Sequence, residues 1–62
     1  MSKESREAAN TTERNLKGAE EYLGNAERAS KQTGDKTLIE KVVKIKKVVV
    51  EIRKELIKKL EE

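Results

Sequence analysis

Glu13, Glu20 and Glu27 recur every seven residues, and Glu20 has Glu21 as its immediate neighbour. Paired carboxylates are the simplest apparatus for acid–base chemistry, one holding a proton while the other stays ionised. Adjacent residues on a helix point about 100° apart, however, so Glu20 and Glu21 do not converge on one reacting atom. Tyr22 is the one aromatic residue, and no base or cofactor motif accompanies it; it reads as a packing residue with its hydroxyl in water. With no His and no Cys, the chain has no His-assisted nucleophile, no thiol nucleophile and no zinc-activated water. Asp35 is the sole Asp, which argues against metal sites built on clustered aspartates. The sequence therefore predicts no catalytic residue, no metal, no cofactor and no small-molecule ligand.

The remaining chemistry is basic. Lys41, Lys44, Lys46 and Lys47 concentrate positive charge, and residues 35–62 carry nine basic against six acidic groups, where residues 1–34 carry six of each. Phosphate contacts through these four lysines define one reading, a small basic dimer that binds nucleic acid. Against it stand the interspersed Glu40, Glu51 and Glu55, and the lack of aromatic stacking residues or a recognition-helix pattern. The apolar stretches are too short to cross a bilayer and the N-terminus is too polar for a signal peptide, so a soluble cytoplasmic chain without membrane contact is expected. Lys/Glu richness with one Met and no Cys is a composition shared by heat-adapted proteins and designed helices.

A chain of 62 residues buries only about 60% of its unfolded surface and has neither disulfide nor Cys/His metal site to reinforce it, so self-association is the remaining support. Its two halves are unlike. Of fourteen Leu, Ile and Val residues only Leu16 and Leu23 precede Gly34; twelve lie between Leu38 and Leu60. In the first half Ala9, Thr12, Leu16, Ala19, Leu23, Ala26, Ser30 and Thr33 alternate three and four apart, the spacing of a helix packed along one seam. In the second half Leu38, Val42, Ile45, Val49, Ile52 and Leu56 follow the same rule. The β-branched residues among them favour strand, but strand alternation fails at Lys46-Lys47 and at Val48-Val49-Val50.

The prediction is an all-α antiparallel helical hairpin in one domain. Residues 1–9 form a frayed tail or a helical extension, with Ser2 and Ser5 as alternative openings; a helix covers 10–33, a turn 34–37 and a second helix 38–60. Gly34 suits a left-handed position after the first helix, and Thr37 with Glu40 reads as a capping box for the second. Ala19-Glu20-Glu21-Tyr22, Ala26 and Gly34-Asp35 resemble the second helix and following turn of a tetratricopeptide repeat. The helix that follows departs from that family in being far too apolar, so the likeness is one of hairpin grammar rather than membership.

Within the hairpin, Leu16, Ala19, Leu23 and Ala26 are expected to face Val42, Ile45, Val49, Ile52 and Leu56. Folding the chain about residue 35 sets Lys46 between Glu20 and Glu27, and Arg53 between Glu13 and Glu20. The second helix has an apolar arc of about 220°, which one partner helix cannot cover. Ile39, Val43, Val50, Ile57 and Leu60 are left over as an oligomer face, giving a homodimeric four-helix bundle that acts as a structural or protein-interaction module.

Overall fold

A computed structural model describes residues 2–62. Ser2 opens the first helix: its backbone is extended and its hydroxyl accepts a hydrogen bond from the Ser5 amide at 3.1 Å, satisfying one of the free donors of the first turn. Helix α1 then runs Lys3–Lys31. Of the two fates expected for the N-terminal segment, residues 3–9 take the helical extension; Met1 lies outside the described residues. The extension is held at its far side, where the Arg6 guanidinium donates two hydrogen bonds, 2.8 and 2.6 Å, to the Leu60 carbonyl. That carbonyl belongs to the last turn of the second helix, which has no intrahelical donors left for it.

The reversal spans four residues, as the sequence suggests, but lies two residues earlier, at 32–35 instead of 34–37. α1 ends at Lys31, and Gln32, Thr33 and Gly34 donate in succession to the carbonyls of Ala29, Ser30 and Lys31. Gly34 has φ 71°, the left-handed conformation expected of it. Thr33, placed at the end of the first helix by its spacing, instead builds the turn. Its hydroxyl donates to the Ser30 carbonyl at 2.6 Å and accepts from the Asp35 amide at 3.1 Å.

Helix α2 covers Lys36–Glu61, and its cap is Asp35 rather than Thr37. The Asp35 backbone is extended (φ −87°, ψ 100°) and its carboxylate accepts from the Leu38 amide at 3.2 Å. Thr37 lies already inside the first turn, so its hydroxyl has no cap to make. An aspartate at the cap also sets negative charge at the positive end of the helix dipole.

α1 and α2 pack against each other as an antiparallel hairpin, long and thin: the Cα trace extends 47 × 14 × 12 Å. The radius of gyration, 14.4 Å, compares with about 10.6 Å for a globule of this length. Among the described residues no apolar side chain is fully buried; the one buried residue is Ser30, whose hydroxyl donates to the Glu27 carbonyl. No helix among the described residues is long and apolar enough to cross a membrane.

Candidate interaction surface

Two carboxylates of α1 and one guanidinium of α2 fix how the helices face. Arg53 reaches Glu13 at 2.7 Å and Glu20 at 2.8 Å, and Lys46 lies 3.6 Å from Glu27. Arg53 thus bridges the two acids between which the fold-back sets it, while Lys46 engages only Glu27 of its pair. Glu27 is also held by Lys31, one helical turn on, at 3.3 Å. The Lys31 and Lys46 ammonium groups keep the Glu27 carboxyl below the ordinary carboxylate range, Lys31 contributing most, against a smaller opposing effect of desolvation. The Arg53 guanidinium is pushed up by its hydrogen bonds to Glu13 and then Glu20.

These bridges turn the contact line away from the seam read in the sequence. On α1 Ala9, Glu13, Leu16, Glu20, Leu23 and Glu27 are half-buried and Ser30 is buried, a line alternating four and three apart. They keep Ala9, Leu16, Leu23 and Ser30, while the glutamates that follow Thr12, Ala19 and Ala26 join the line and Ala19 stays half-buried beside it. On α2 the corresponding line is Ile39, Val42, Lys46, Val49, Arg53, Leu56 and Leu60. Leu16, Ala19, Leu23, Val42, Val49 and Leu56 are half-buried, whereas Ala26, Ile45 and Ile52 are exposed, Ile45 at 53% and Ile52 at 39%. So α1 docks on the midline of the apolar arc of α2 instead of on its Ile45/Ile52 side. The physical reason is reach: Arg53 and Lys46 can meet the glutamate row only if both charged lines stand at the contact.

Docking on the midline leaves apolar surface on both flanks of α2. One flank holds Val43 and Val50, half-buried, in a shallow groove whose walls are Glu27, Lys46, Lys47, Glu51 and Lys54. Ile39 and Leu60 are half-buried beside the helix contact, and Ile57 is exposed. The expected oligomer face is thereby hemmed by charge. The opposite flank carries Leu38, Ile45, Val48 and Ile52, all exposed. It is the larger exposed aliphatic surface, and sequence reading misses it because it gives Ile45 and Ile52 to the intrachain contact and assigns Leu38 and Val48 to neither surface.

The four lysines differ in their surroundings. Lys46 turns inward to Glu27, while Lys41, Lys44 and Lys47 stay exposed. Glu20 carries the Arg53 bridge and Glu21 is exposed, so the two acids serve different surroundings. Tyr22 is 78% exposed. Comparison of the chain with protein-family models, with curated proteins and with solved structures finds no match.

Proposed function

We propose that this chain is a helical structural or protein-interaction module that carries out no reaction of its own and assembles with copies of itself through the apolar surface of α2. The observation that carries this reading is a core that one chain does not complete. Twelve of the fourteen Leu, Ile and Val residues sit on α2, and the hairpin buries none of them fully. Exposed aliphatic side chains in a contiguous row mark a partner surface, and burying a Val, Leu or Ile is worth about 1.5–3 kcal/mol each. A helical hairpin of this composition gains its missing interior most simply from a second hairpin, giving a four-helix bundle.

Absolute mass by light scattering at tens of micromolar tests the reading. The expected result is twice the chain mass of 7.1 kDa, or a higher multiple. A cooperatively folded single chain at that concentration refutes it. The basic-dimer reading has weaker support, since Lys46 is engaged by Glu27 and Glu40, Glu51 and Glu55 are interspersed among the remaining lysines. Phosphate binding would weaken steeply with salt, whereas assembly through aliphatic surface holds or tightens.

A further inference from the structure

The flank of α2 opposite the charged groove has a pattern of its own. Leu38, Lys41, Ile45, Val48, Ile52 and Glu55 alternate three and four apart, so they share one stripe of the helix. Its middle is aliphatic and exposed, with Val48 at 47%. Its two charges are opposite in sign and stand seven residues to either side of Val48. Resting on the self-association reading above, we infer that this stripe is the dimer contact: a second copy packs on it antiparallel, α2 against α2, with the twofold axis at Val48.

The symmetry of the stripe selects that arrangement. In an isologous contact the same patch meets itself, so any residue a given distance before the axis faces the residue the same distance after it. With the axis at Val48, Lys41 faces the partner's Glu55 and Glu55 faces the partner's Lys41. Ile45 then lies about level with the partner's Ile52. A parallel pairing would instead set Lys41 on Lys41 and Glu55 on Glu55, two like-charge encounters that complementarity forbids. The Val43/Val50 flank is half-buried and walled by charge, and two of its walls, Glu27 and Lys46, already pair with each other in the hairpin.

The amount of surface points to a second copy as the occupant. The chain exposes 5029 Å², whereas a compact monomer of its mass exposes about 4,100 Å². The excess, roughly 900 Å², is close to the ~800 Å² that each partner contributes to a standard interface. The single hairpin is also more extended than even a globule of twice its length, about 13.7 Å in radius of gyration against 14.4 Å here. A copy laid alongside thickens the particle without lengthening it.

Charge reversal and cross-linking test the geometry together. Lys41→Glu sits on an exposed helical position, so it leaves the fold intact by circular dichroism while setting a carboxylate against the partner's Glu55 at both ends of the contact. Its dimer dissociation constant by sedimentation equilibrium should rise on the order of tenfold. The double exchange Lys41→Glu with Glu55→Lys should restore the wild-type value. Val48→Cys, in a chain otherwise free of cysteine, should yield a covalent dimer with oxidised glutathione as the oxidant, two thiols becoming one disulfide as glutathione is reduced. Val50→Cys should not. A dimeric wild type in which Lys41→Glu changes nothing, or in which Val50→Cys links and Val48→Cys does not, overturns this contact and leaves self-association standing. A monomeric wild type overturns both.

Discussion

Replacing Gly18 and Gly34 by alanine, one at a time, applies the same chemical change to two backbones with opposite demands. At Gly18 a methyl group would meet nothing within 4 Å and the residue lies inside α1. Alanine there removes the helix-propensity deficit of glycine, about 0.8–1 kcal/mol, and is expected to stabilise by that amount. At Gly34 space is equally open, but φ is 71°, where a Cβ crowds the following carbonyl. Alanine there should destabilise by about 1–2 kcal/mol. A domain of this size shifts its melting temperature by about 4–8 °C per kcal/mol, so the two variants should bracket the wild type and separate by about 7–24 °C. Thermal unfolding at one fixed protein concentration measures this, since melting of an assembling protein depends on concentration. Two shifts of the same sign would refute the reasoning. A destabilising Gly18→Ala would mean that this face of α1 is covered in solution, and a neutral Gly34→Ala that the turn is not left-handed.

Three further outcomes follow from the hairpin. Asp35→Ala should cost roughly 0.5–2 kcal/mol in urea unfolding while Thr37→Ala stays within a few tenths, because only the Asp35 carboxylate caps α2; equal losses would return the cap to Thr37. Glu27 has its folded pKa below its unfolded one, so its ion pairs stabilise fully above the unfolded value and are lost as pH falls through the folded value. The stability gap between wild type and Glu27→Gln should accordingly shrink from neutral pH into acid, and a gap that widens on acidification would contradict the sign. Arg6→Ala should speed amide exchange of the last turn of α2 and leave the Gln32–Asp35 turn unchanged, since the two bonds to the Leu60 carbonyl are what Arg6 supplies there; unaltered exchange at residues 58–62 would show that the end is held by packing alone.

The elements and their pairing are legible in the order of residues alone. Unbroken three-four spacing from Ala9 to Ser30 and from Leu38 to Leu56 admits only helices, and Gly34 with a few polar neighbours admits only a reversal. Equal helix lengths across a short turn then make the hairpin antiparallel, and Arg53 falls opposite Glu13 and Glu20 by counting alone. Cap choice was not legible at the same level, because Asp35 and Thr37 are both good caps and a hydrogen bond to the Leu38 amide distinguishes them. Nor was the rotation of each helix about its axis. Heptad spacing says that Ile45 and Ile52 share a stripe with Val49, but not whether the helix contact is centred on that stripe or about 50° around from it, on the line through Val42, Lys46, Val49 and Arg53. The packed hairpin resolves this, because the reach of Arg53 and Lys46 to the glutamate row, a short-range electrostatic condition, turns α2 so that its midline meets α1 and Ile45, Val48 and Ile52 face outward.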